Sequence, residues 1–400
     1  MKNFKAYLFL FFLVSILSSC HKNQSHSDFF YTVLNELERI ESASYWSKNE
    51  YWNPVDTIAS YEAHQYVESY RNSSDTTIGS SWAIFNSPEK DHLNFAYDGN
   101  MRTLIYDDVK GIVLDSFNVR KLPFRPVAPP FYNYAENILK YILNNQDSTS
   151  LVLNDSGEEF YVKLTIHEER QVEFFGKAHL MPESPYVFDP TSIYELWINK
   201  KDKLPTKVRR EMSHSISVSS ISDVHFNQLK LSEFKADDYF PNDYEIRPYG
   251  IRAGNGKING LIGTQAPEWT LENTNEEYTA LDKLNGKVVM LQFTSVSCGP
   301  CKASIPFLNN LTEDYDASEF ELIAIECTSF NNHVLDAYIK RNRINYTLLK
   351  STKEIKKDYA IKAFPMFIIL DKERKIKHII RGYGGSKTEN QIRESIRALI

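Results

Sequence analysis

Cys298 and Cys301 are separated by Gly299-Pro300, a spacing with specific chemistry when it falls at the start of a helix. Upstream, Val288-Val289-Met290-Leu291-Gln292-Phe293 reads as a fully buried strand. Downstream, Ile305, Phe307, Leu308 and Leu311 recur at helical spacing, so the cysteines open a helix. Free N–H groups and the positive end of the helix dipole then face the first sulfur and favour its thiolate. Lowering a thiol pKa from ~8.5 to ~7 takes the thiolate from a few per cent to about half at neutral pH. The second cysteine lies one turn on, close enough to attack a mixed disulfide formed by the first. The strand must aim the pair and the helix must hold it.

Further segments follow in a recognisable order. Gly263-Thr264-Gln265-Ala266-Pro267-Glu268-Trp269-Thr270-Leu271 opens the region and Asn285-Gly286-Lys287 precedes the strand. Pro306 falls five residues after Cys301, and Tyr359 to Leu370 contains Phe364-Pro365 ahead of an apolar run. With these segments, residues 263–400 resemble the thioredoxin fold, in particular the exported thiol–disulfide oxidoreductases of the ResA/TlpA type. The resemblance implies an α/β thioredoxin-like domain in which Cys298 and Cys301 form a redox-active disulfide, Cys298 attacking and Cys301 resolving. It implies a cis Pro365 beside Cys298, with Phe364 and Pro365 presenting a backbone edge to an extended, disulfide-containing protein substrate. It also implies a reductase that is recharged by a membrane electron-donor protein and needs no bound cofactor.

Three positions depart from the family pattern. Ser297 stands where thioredoxins carry Trp, Gln292 where they carry a buried acid, and Ser304 where ResA-type proteins carry glutamate. The general acid/base is therefore unassigned. Glu326, ending the Leu322–Ile325 strand, is placed where it could approach the sulfurs, but is read as a strand-end surface acid.

The bounds of the chain fit this reading. Four hundred residues exceed one core, the hydrophobic fraction is 42%, and a net charge of −6 supplies no basic field for nucleic acid. Four cysteines are too few for a disulfide scaffold. Residues 1–20 read as a lipoprotein signal peptide, with Lys2 and Lys5 ahead of an apolar stretch. Leu17-Ser18-Ser19-Cys20 resembles a bacterial lipobox, which implies lipidation of Cys20 and anchoring to a membrane. The implied location is the cell envelope on the periplasmic side. His21 in place of aspartate favours the outer over the inner membrane.

Residues 21–28 read as a tether, 29–245 as a β-rich N-terminal domain and 246–262 as a glycine-rich linker. In the N-terminal domain, Phe30, Val33, Leu34, Leu37 and Ile40 mark one helix; Tyr134, Ile138, Leu139 and Ile142 mark another. Strands are predicted at 93–97, 103–106, 161–166, 172–175, 194–198, 204–208 and 213–219, with a hairpin turn at Asp98-Gly99. An antiparallel sheet with helices against it follows. The element order faintly resembles periplasmic lipoprotein-carrier half-barrels, which makes a non-enzymatic carrier of lipid or another hydrophobic ligand one alternative function. A peroxiredoxin-like peroxidase is another, but it expects Thr-x-x-Cys and an upstream proline; Thr294 stands four residues before Cys298.

The remaining candidates have plain explanations. His167-Glu168-Glu169 lacks a second histidine, and no metal site is expected. Gly254-Asn255-Gly256-Lys257 lacks phosphate-loop spacing. Ser213 to Ser222 alternates with apolar residues as a half-exposed strand does, and Cys327 reads as a buried small residue.

Overall fold

A computed structural model describes residues 27–54, 57–119, 121, 127–145, 149–182, 189–250, 260–284 and 286–400. The expected signal peptide with Cys20, residues 21–26 of the tether and residues 251–259 of the linker lie outside the described residues.

Helix α1 covers residues 27–38 and so begins within the expected tether. The strands that follow are β1 (Ser42–Trp52), β2 (Tyr61–Arg71), β3 (Ser80–Phe85), β4 (Leu93–Tyr97), β5 (Arg102–Tyr106) and β6 (Gly111–Asp115). After helix α2 (Phe131–Asn144) come β7 (Thr149–Ser156), β8 (Glu159–Ile166), β9 (Val172–Phe174), β10 (Ala178–Leu180), β11 (Ser192–Asn199), β12 (Leu204–Met212), β13 (Ser215–Phe226) and β14 (Glu245–Pro248). Twelve of these strands form one sheet in the order β14-β6-β5-β4-β3-β2-β1-β13-β12-β11-β8-β7. The pairing of β14 with β6 is parallel and draws residues 246–248, expected in the linker, into the sheet.

Local chemistry accounts for these elements. In α2, Ala135, Ile138, Leu139 and Ile142 recur at helical spacing and are all buried. In β8, Phe160, Val162, Leu164 and Ile166 alternate inward. These residues share a core with Phe30, Val33 and Leu37 of α1 and with Leu196, Ile198 and Val208. Each such side chain contributes about 1.5–3 kcal/mol by leaving water. The hairpin between β4 and β5 turns at Gly99, whose φ of 101° suits a residue without Cβ. Asp98 Oδ1 accepts hydrogen bonds there from the N–H groups of Asn100 and Met101.

The C-terminal region contains a small hairpin, β15 (Thr270–Glu272) with β16 (Tyr278–Ala280), and a five-stranded sheet. The sheet is built from β17 (Val288–Thr294), β18 (Phe320–Glu326), β19 (Thr347–Lys350), β20 (Met366–Leu370) and β21 (Ile376–Arg381), in the order β19-β18-β17-β20-β21. Strands β17, β18 and β19 are parallel, and β20 runs antiparallel to both of its neighbours, β17 and β21. Helices α3 (Gly299–Glu313), α4 (Asn332–Asn342), α5 (Lys353–Asp358) and α6 (Ser386–Arg397) complete the region. Every residue of β17 is buried because both sheet faces are covered. Val288 and Met290 pack with Leu308 of α3 and Ile392 of α6. Val289, Leu291 and Phe293 pack with Ile355 and Tyr359 on the opposite face.

Candidate active site

Residues Ser295 to Ser297 connect the end of β17 to α3, and Cys298 is the N-cap of that helix. Its φ and ψ of −86° and 114° are extended, which turns the chain into the helix, and Pro300 occupies the first turn, where its missing N–H costs no hydrogen bond. Cys298 Sγ accepts a hydrogen bond from the Cys301 backbone N–H at 3.2 Å. An N–H and a helix dipole placed this way stabilise negative charge on a sulfur at the N-cap.

Cys298 and Cys301 are joined as a disulfide, with Cα atoms 5.2 Å apart. Cys298 is half-buried and Cys301 is fully buried. One sulfur is thus open to a partner, while its neighbour is shielded until a mixed disulfide brings the reacting bond to it.

The Phe364–Pro365 peptide is cis. Pro365 immediately precedes β20, and register pairs Met366 with Phe293 of β17. Sequence-distant Phe364-Pro365 therefore comes to the end of the sheet from which the cysteines emerge. Pro365 is buried, its carbonyl accepting from Gly382 N–H at 2.8 Å, and Phe364 is half-buried.

The positions without family carboxylates form a neutral pair. Gln292 Nε2 donates to Ser304 Oγ at 3.0 Å, and Ser304 Oγ donates to the Cys301 carbonyl at 2.7 Å. Both side chains are buried. Neither can exchange a proton with a thiol near neutral pH, and together they pin the second turn of α3 to the central strand.

Glu326 is a correction to the sequence reading: it is fully buried, not a surface acid. It ends β18 opposite Thr294 of β17. Oε1 accepts from Thr328 N–H (2.8 Å), Thr328 Oγ1 (2.6 Å) and Ser329 N–H (3.0 Å). Oε2 has no hydrogen-bond partner among the described residues. Burial pushes the carboxyl above its ordinary value, opposed by the Thr328 hydroxyl and nearby backbone N–H groups. Cys327 is buried and outside any disulfide, and burial pushes its thiol up to about 12.

The N-terminal sheet reaches this site. Lys302, next to Cys301, donates to Asn53 Oδ1 and to the His214 carbonyl; Arg341 of α4 donates to the Pro54 carbonyl at 3.1 Å. Chain ends of β1 and β12 thereby touch the first turn of α3, contacts for which local sequence carries no signal.

A cysteine pair bridged at a helix N-terminus, beside a cis-proline loop on a mixed five-stranded sheet, defines a thioredoxin-fold dithiol protein. The sequence profile of the AhpC/TSA family matches residues 262–379. Over 136 residues the chain is 26% identical to the thioredoxin-like protein YneN of Bacillus subtilis strain 168, covering 34% of this chain and 78% of the relative. It is 25% identical over 140 residues to the thiol-disulfide oxidoreductase ResA of the same organism, covering 35% and 76%. Among solved structures, the thioredoxin domain of a thiol-disulfide oxidoreductase from Bacteroides vulgatus aligns at 20% identity with a TM-score of 0.31, covering 34% of this chain and 97% of that one. The C-terminal region is a thioredoxin-like thiol–disulfide oxidoreductase domain of the ResA/TlpA type.

Proposed function

We propose that the chain is a membrane-anchored, extracytoplasmic thiol–disulfide oxidoreductase that reduces protein disulfides through Cys298 and Cys301. The observation that carries this reading is the pairing of a half-buried Cys298 at the helix N-cap with a fully buried Cys301 bonded to it. In the reduced state the Cys298 thiolate attacks a substrate disulfide, forming a mixed disulfide and releasing one substrate thiol. The Cys301 thiol then loses its proton and attacks Cys298 Sγ; the second substrate thiol leaves and the enzyme disulfide forms. Phe364 and Pro365 supply the edge on which an extended substrate lies. A membrane electron-donor protein restores the dithiol.

The location rests on sequence: the signal peptide of residues 1–20 ends in Cys20, whose lipidation anchors the protein at the periplasmic side, with the outer membrane favoured. Among the described residues no helix is long and apolar enough to cross a membrane. The 1–20, 21–28, 29–245, 246–262 and 263–400 division stands as the proposed domain plan. Within it, the N-terminal sheet acts as a platform for the redox site, supported by the Lys302 and Arg341 contacts. Its helix-facing side is filled by its own side chains, which supports a platform over a lipid carrier.

The test is disulfide reduction by the purified protein supplied with a thiol reductant. Cys298→Ser abolishes turnover, and Cys301→Ser accumulates a mixed disulfide with substrate. Unchanged turnover in Cys298→Ser would overturn the assignment.

A further inference from the structure

The dithiol shares its end of the sheet with two other segments. The parallel strands β17 and β18 both finish there, and β20, antiparallel to β17, begins there. Cys298 follows β17, Phe330 follows β18, and Phe364-Pro365 precedes β20. Strand order puts β18 and β20 on opposite sides of β17. The loops that carry Phe330 and Phe364 therefore lie on either side of the one that carries Cys298.

Phe330 is 53% exposed and is the one exposed phenylalanine among the described residues. A single exposed aromatic is ordinary on a protein surface, but the loop under this one is fixed from both sides. Upstream, Cys327 N–H donates to the Thr294 carbonyl at 3.0 Å, and Thr328 N–H and Ser329 N–H donate to Glu326 Oε1 at 2.8 and 3.0 Å. Downstream, Asn331 Oδ1 caps α4, accepting from His333 N–H at 3.0 Å and Val334 N–H at 3.4 Å. The Thr328 and Ser295 hydroxyls are hydrogen-bonded at 2.8 Å, and the Ser295 carbonyl accepts from Cys298 N–H at 3.0 Å. The loop bearing Phe330 is thus bonded to the loop bearing the nucleophile. Holding a large apolar side chain in water on such a loop forgoes the stabilisation that burial would bring. Residues 295–301, 327–332 and 363–366 include no charged side chain. An ionised group arriving beside Cys298 finds no counter-charge in these segments, whereas an apolar one finds an aromatic face.

We propose that Phe330 determines specificity: with Phe364 it binds an apolar side chain next to the cysteine whose disulfide Cys298 attacks. The occupant is the substrate polypeptide, because Phe330 borders the same cysteine as the edge that Phe364 and Pro365 offer to an extended segment. The buried Glu326 carboxyl braces the loop that presents the ring. Apolar surface covered by that ring favours the attacking complex over the free substrate, so the effect is read in kcat/KM. This deepens the dithiol reading and rests on it.

Disulfide-linked peptide dimers test it. Two dimers differ only in the residues on both sides of each cysteine, leucine in one and serine in the other. Hydroxyethyl disulfide is a third probe, with no flanking side chain. Second-order rates with the reduced protein are each divided by the rate of dithiothreitol with the same probe. Wild type then prefers the leucine dimer over the serine dimer by about 10-fold. Phe330→Ser, at an exposed position, brings that preference to within about 2-fold of unity, and Phe330→Leu keeps it above about 3-fold. A wild type without the preference, or a Phe330→Ser protein that retains it, overturns the proposal. If wild type reduces none of the three probes, or Cys298→Ser reduces them equally well, the dithiol reading itself fails instead.

Discussion

Removing the Ser304 hydroxyl isolates what holds α3 to β17. Ser304→Ala deletes the acceptor of Gln292 Nε2 and the donor to the Cys301 carbonyl, at positions where both side chains are almost completely enclosed. Leaving a buried amide unsatisfied costs about 1–3 kcal/mol, because water cannot replace the lost partner. For a region of this size that lowers the midpoint of thermal unfolding by roughly 3–10 °C. Replacing the second partner as well, in Gln292→Met/Ser304→Ala, removes the stranded group and recovers most of the loss, since two apolar groups of similar shape coexist without penalty. The assay is thermal unfolding of the oxidised wild type, both single variants and the double variant, read as a double-mutant cycle. The reasoning is refuted if Ser304→Ala shifts stability by less than about 0.5 kcal/mol, or if the double variant is no more stable than Ser304→Ala.

Three further outcomes follow from burial. Since the raised pKa of Glu326 means that the folded state holds its proton more tightly than the unfolded chain, its stability contribution is fully present below 4.5 and declines as pH rises through the raised folded value; chemical denaturation across that range shows the decline, and Glu326→Gln flattens it. Cys327, with a thiol pushed up to about 12, remains unalkylated by iodoacetamide at neutral pH in the folded protein and reacts upon denaturation, as mass spectrometry of the modified peptide will show. Asp115→Ala removes the buried carboxylate whose Oδ2 accepts from the Arg102 guanidinium at 2.7 Å; a loss of about 3 kcal/mol in the N-terminal sheet is expected by denaturant titration.

Much of the scaffold was readable where chemistry is local. Asp98-Gly99 announced its hairpin because the turn needs a residue at positive φ. By contrast, β1 and β2 escaped notice: β1 buries Ser42, Ser44 and Ser47 together with Ala43 and Tyr45, so its apolar pattern does not mark its inward face. Lying between β13 and β3 in a wide sheet, these strands are held by backbone pairing with partners distant in sequence. The surface reading of Glu326 failed for a related reason. A glutamate closing an apolar strand is ordinarily solvated, but here α4 and the loop after β17 close over the strand end.

By itself, the amino-acid order determined the reactive pair, the buried strand before it and the helix after it, because spacing and apolar continuity act over a dozen residues. The tertiary structure decided which groups surround the sulfurs: Pro365 brought to the end of β17, Gln292 joined to Ser304, Lys302 held by the N-terminal sheet, and Ser295 joined through Thr328 to Glu326. These partnerships arise when parallel strands end side by side and helices seal them. Burial then sets the protonation of each group, and no local pattern in the chain specifies that enclosure.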